Sequence, residues 1–112
     1  MLAAPEEAPH QGFHRAIVEI LRQLNRDEME EPQVPGLEVD ELRTILSRKS
    51  FPLITRTEAR QAVDVLLTNG LAREINEPKY AWTRGRVVGD RVTITTQGKT
   101  YLLQSVRRVG RV

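Results

Sequence analysis

The chain has 112 residues, 39% hydrophobic and 29% charged, which suits one soluble globular domain with a modest core. It holds no cysteine, so disulfides, thiolate metal sites and cysteine catalysis are excluded, and a cytoplasmic location is expected. No apolar run approaches the ~20 residues that cross a bilayer, and the acidic opening MLAAPEEAPH lacks the basic and apolar regions of a secretory leader.

The net charge of +2 is unevenly spread. Residues 1–54 hold 10 acids and 6 bases; residues 55–112 hold 5 acids and 11 bases. A basic half points to a polyanionic partner. The alternative is that the two halves attract each other.

Residues 1–11 are rich in Pro and Ala without a period, and read as a disordered N-terminal tail ahead of a domain at 12–112. Phe13, Ala16, Ile17, Ile20, Leu21 and Leu24 then recur at helical spacing, which predicts a helix over 12–26. Asp27–Gly36, with four acids and with Pro32 and Pro35, reads as an acidic loop that should avoid a phosphate backbone. A helix follows over 37–50, burying Leu42, Ile45 and Leu46, with Arg48 and Lys49 at its dipole's negative end. Ser50–Ile54 is a short corner stopped by Pro52, so helix, turn and helix succeed one another.

The next stretch, Thr55–Gly70, is the most informative. Ala59, Ala62, Val63, Leu66 and Leu67 form one apolar stripe. Thr55 and Glu58 have the capping-box spacing, and Asn69-Gly70 supplies a left-handed stop. The opposite face carries Thr57, Gln61, Asp64, Val65 and Thr68, flanked by Arg56 and Arg60. Short polar side chains and arginines suit a DNA groove, although the solvated side of a core helix has the same appearance.

Leu71–Ile75 and Val92–Thr95 alternate like strands and are expected to pair. Between them lies a long segment with Lys79, Arg84, Arg86 and Arg91 against Glu77 and Asp90, and Val88–Arg91 has turn character of its own. Tyr80 and Trp82 share a strand face, where packing at the base of the projection is expected. Thr96 can cap a last helix whose apolar positions are Tyr101, Leu102, Val106 and Val109.

The runs VDELRTIL at Val39–Leu46, TRTEARQAVDVLLTNGLARE at Thr55–Glu74 and VTITTQGKTYLL at Val92–Leu103, in this order, resemble the winged-helix family, in particular small prokaryotic regulators of the MarR/PadR kind. The resemblance spans about residues 13–106 and rests on element order and short apolar signatures. It implies an α+β, mainly α fold: a three-helix core, a two-stranded β-wing and a C-terminal helix. It also implies that the helix at 55–70 enters the major groove of double-stranded DNA and that the wing contacts the backbone or minor groove. The long acidic loop, the long wing segment and Asp64 on the groove side depart from the pattern.

On that reading Gln61 is suited to a bidentate contact with adenine, and Thr55, Arg56 and Thr57 to phosphate at a helix start. Arg60 reaches a phosphate or guanine, or pairs with Asp64, and Thr68 completes the face. Lys79, Arg84, Arg86 and Arg91 are the wing candidates, with Gly85 allowing a close backbone approach. A homodimer is expected through Phe13, Ile17, Tyr101, Leu102, Val106 and Val109, unless these only close the monomer core. His10 and His14 have no third ligand, so no metal is expected, and no cofactor or enzyme motif is present. The competing expectation is a winged-helix protein-interaction module, such as a subunit of a chromosome-maintenance complex, whose oppositely charged halves dock a protein partner.

Overall fold

A computed structural model describes the backbone of residues 3–49 and 51–110 and the side chains of 13–49 and 51–105. Its elements are α1 (Ala3–Glu30), α2 (Val39–Lys49), α3 (Arg56–Thr68), β1 (Ala72–Ile75), β2 (Lys79–Ala81), β3 (Arg86–Val88), β4 (Arg91–Ile94) and α4 (Thr96–Gly110). The architecture is α+β, mainly α.

The apolar stripes meet where their spacing aims them. Ile17, Ile20, Leu21 and Leu24 of α1, Leu42 and Leu46 of α2, and Ala62, Val63 and Leu66 of α3 form one buried cluster. Val92 and Ile94 of β4 and Leu102 of α4 close it. Burying each such aliphatic side chain contributes roughly 1.5–3 kcal/mol before entropy is subtracted.

Local signals set the ends of α3. Thr55 Oγ1 accepts from the Glu58 N–H at 3.1 Å, and the Glu58 carboxylate accepts from the Thr55 N–H at 2.9 Å, a reciprocal cap. At the far end Gly70 takes a left-handed φ of 72°, and the Leu71 N–H returns to the Leu66 carbonyl at 2.9 Å. The chain leaves this turn directly into β1.

Helix α1 differs from the sequence expectation at both ends. It begins at Ala3, so the backbone of 3–11 is helical where a disordered tail was expected. Ala3, Ala4, Glu6, Glu7 and Ala8 are good helix formers, and Pro5 falls in the first turn, where no N–H is needed. At the other end it continues to Glu30 through residues expected to form a loop, because no proline follows Pro9 until Pro32. Asp27 is therefore helical and buried.

The β-structure is two hairpins rather than one. β1 pairs antiparallel with β4 in the register Ala72↔Ile94 to Ile75↔Arg91. Leu37, expected to open the second helix, instead bridges Val92 on the other side of β4, with reciprocal N–H to carbonyl bonds of 2.9 Å. Within the intervening segment β2 pairs with β3, Tyr80 opposite Val87, to form a distal hairpin. Its turn is closed by Gly85 at φ 66°, whose N–H donates to the Ala81 carbonyl at 2.8 Å. No atom lies within 4 Å of a Cβ added there, so this glycine serves the turn rather than a close approach.

The cap of α4 is Thr95, not Thr96. Its hydroxyl accepts from the Gly98 N–H at 3.0 Å and donates to the Gly70 carbonyl at 2.7 Å, joining two helix ends.

Candidate nucleic-acid interface

The outer face of α3 is turned to solvent. Thr55, Arg56, Thr57, Arg60, Gln61, Asp64 and Thr68 are all exposed, while Ala59, Ala62, Val63 and Leu66 are buried behind them. Val65, assigned to the outer face from the sequence, is half-buried and packs against the core. The cations of this face are paired. Arg56 Nε lies 3.0 Å from Asp40 Oδ1, and Arg60 Nε lies 3.1 Å from Asp64 Oδ1, with Glu74 at 3.9 Å from Arg60 Nη2. Exposed pairs of this kind are each worth less than about 1 kcal/mol and yield readily to a polyanion.

The basic residues of the distal hairpin are placed differently from the sequence expectation. Arg84 is not a free tip: its side chain is 10% exposed. Its Nε donates to Glu41 Oε2 at 2.7 Å, and its Nη2 donates to Asp27 Oδ1 at 3.1 Å and to the Gly36 carbonyl at 3.2 Å. Arg86 forms an ion pair with Glu38. Lys79 Nζ donates to the Gln33 carbonyl at 3.3 Å, and Thr83 Oγ1 donates to Glu31 Oε1 at 2.7 Å. The hairpin is thus folded onto the acidic stretch 27–41. For this part of the chain the mutual attraction of the two halves is what the charge asymmetry expresses.

Arg91 is also withdrawn. It is 2% exposed in the wholly buried strand β4, its Nη2 donates to the Glu77 carbonyl at 3.2 Å, and its Nε and Nη1 are buried without a hydrogen-bond partner. A residue so enclosed cannot reach a phosphate, which corrects its assignment as a contact. Burial follows from Gly36, whose φ of 108° brings the chain against β4; a Cβ there would lie 2.9 Å from Arg91 Cβ.

The carboxylates respond to these positions. Burial, the largest influence, pushes the Asp27 carboxyl above the usual carboxylate range, against the opposing pull of the Gly36 N–H and Arg84. The hydrogen bond from Arg86 holds Glu38 below its usual range. For Arg84 the neighbouring Glu41 and Asp27 outweigh burial and raise its pKa further.

An open groove of about 720 Å³ lies between the start of α2, the start of α3 and the β3–β4 turn. Arg56 and Arg86 line it together with Glu38, Asp40, Glu41 and Asp90. Asp40 as the partner of Arg56 and Glu38 as the partner of Arg86 were not legible in the sequence, because pairing between separate elements, over 48 positions for Arg86, leaves no periodic trace.

Tyr80 and Trp82 do not pack the base of the projection. Trp82 is 85% exposed, and its ring meets Tyr80 edge to face at 5.0 Å, with Val87 exposed across the pair. The expected dimer residues fare unevenly. Ile17 and Leu102 are buried in the monomer core, and Phe13 and Tyr101 are half-buried against it. Val106, Val109 and His10 lie outside the described side chains. Among the described residues no His, Cys, Asp and Glu cluster is placed to hold a metal, and no helix is long and apolar enough to cross a membrane. Comparison with known proteins finds no family, no curated relative and no solved structure that matches this chain.

Proposed function

We propose that the chain is a winged helix-turn-helix domain that binds double-stranded DNA through α3, as part of a transcriptional regulator. The observation that carries this reading is the two-sidedness of α3. Gln61 and its neighbours Thr57, Arg60, Asp64 and Thr68 face solvent along one side, on a helix anchored rigidly by its other side and capped at both ends. The Leu37–β4–β1 strands brace that helix, and in this reading the β2–β3 hairpin is taken as the wing. In this reading Gln61 contacts a base edge and Thr57 and Arg60 contact phosphates. One such unit makes few contacts, so a two-fold site read by a homodimer is expected.

A second reading, a protein-interaction module, is favoured by one specific feature. Trp82, Tyr80 and Val87 expose a continuous apolar face on a hairpin whose arginines are occupied by the protein's own acids.

Titration of the protein with mixed-sequence duplex at two salt concentrations separates the two. A DNA binder loses affinity steeply with salt through counterion release, and Gln61→Ala alters its preference among sequences. Absence of binding at low salt refutes the DNA reading and leaves the apolar hairpin face as the functional surface.

A further inference from the structure

The groove between α3 and the distal hairpin holds one arginine from each side. Arg56 enters from the start of α3 and Arg86 from β3. Each is met by a carboxylate at the start of α2: Asp40 on Arg56 at 3.0 Å, and Glu38 on Arg86. A carboxylate presents to a guanidinium the same paired-oxygen geometry as a phosphodiester. We infer that this groove is a phosphodiester site that the protein fills with its own side chains, Glu38 and Asp40 standing in for nucleic-acid phosphates and competing with them for Arg86 and Arg56. The inference rests on the duplex-binding reading and adds to it the control of that same surface.

The two sets of ion pairs on the acidic stretch differ in what displacing them involves. Arg84 is buried between Asp27 and Glu41 and holds the hairpin down. Arg56 and Arg86 are 76% and 51% exposed, so their pairs are hydrated and weak. A polyanion can take these two arginines without lifting the hairpin. Arg84 therefore fixes the far wall of the groove, and Glu38 and Asp40 set how readily its arginines are surrendered. Glu38 is also suited to this role because its backbone N–H, not its carboxylate, completes the α2 start by donating to Glu41 Oε1 at 3.0 Å.

The test is a four-way comparison of duplex binding across a salt series. The proteins are the wild type, the isosteric variant Glu38→Gln/Asp40→Asn, the variant Arg56→Ala/Arg86→Ala, and the combination of all four changes. Removing the two carboxylates is expected to tighten binding about tenfold at low salt. The log–log salt slope of this variant should stay close to that of the wild type and exceed by about 2 that of the variant lacking both arginines, since the same two cations reach phosphates whether or not carboxylates must first be displaced. In the background lacking both arginines the same change should give no more than about a twofold gain, the residue of general electrostatics. An equal gain with and without the arginines, or no gain at all, overturns the inference while leaving α3 binding intact. Failure of all four proteins to bind duplex at low salt overturns the proposed function, and the inference with it.

Discussion

Arg84 and Glu41, separated by 43 positions in the chain, are joined by an Nε to Oε2 hydrogen bond of 2.7 Å that pins the distal hairpin to the first turn of α2. With Asp27 on the same guanidinium, this bond turns a segment that reads as a free basic projection into part of the body of the fold. Arg84→Ala leaves Asp27 and Glu41 without their shared cation in a largely buried place. A loss of about 2–3 kcal/mol in unfolding free energy is expected by urea denaturation. Arg86→Ala, at an exposed pair, should leave the midpoint nearly unchanged. Equal effects of the two substitutions would contradict the division between a pin and a surface pair.

The acid-side pH dependence follows from two carboxylates with opposite shifts. Glu38, held below its usual pKa by Arg86, contributes a small stability that is present above the ordinary glutamate pKa and is lost as pH falls through its lower folded value. Asp27, raised by burial, protonates in the folded chain before it does in the unfolded one. Its ionised form therefore costs stability at neutral pH, and that cost is relieved on acidification. Asp27→Asn keeps an acceptor for the Gly36 N–H, which Asp27 Oδ2 meets at 2.7 Å, but removes the titration. Its thermal midpoint should fall more steeply than that of the wild type between about pH 6 and pH 4. A steeper fall in the wild type would show that Asp27 is not held in its raised state.

Gly98 is required by contact rather than by backbone angle. A Cβ there would lie 2.0 Å from the Leu71 carbonyl oxygen and 2.8 Å from Ile94 Cγ1. Gly98→Ala, usually favourable within a helix, should here destabilise by about 3 kcal/mol as α4 is pushed off the β1–β4 pair. Thermal unfolding checks this; a neutral or stabilising effect would mean that α4 does not sit this close.

Trp82 is the only tryptophan, so its fluorescence reports the distal hairpin alone. Its 85% exposure predicts red-shifted emission and ready quenching by iodide in the unbound protein. A blue-shifted, protected emission would mean that the apolar hairpin face is covered.

The helical stripes, the Thr55–Glu58 cap, the Gly70 stop and the β1–β4 pairing were all legible in the chain, because each depends on residues a few positions apart or on strict alternation. The exposed face of α3 was legible for the same reason. What the sequence concealed is long-range. Nothing local distinguishes Arg84, enclosed by acids, from Arg86, half in water. Nor does anything local mark Arg91 as buried beneath Gly36 while Lys79 stays exposed. The acidic residues read as a solvated loop became, in Asp27, a buried acceptor, because α1 continues past the residue where the charge run suggested it should stop.

On the proposed function, the solvent face of α3 is the surface that meets duplex DNA. Amide chemical-shift mapping during titration with a short duplex tests it most directly. The largest shifts are expected at Arg56, Thr57, Gln61, Asp64 and Thr68, with Arg86 joining them and Ala81–Gly85 little changed. Shifts confined to Tyr80, Trp82 and Val87, or none on α3 at saturating duplex, would contradict it.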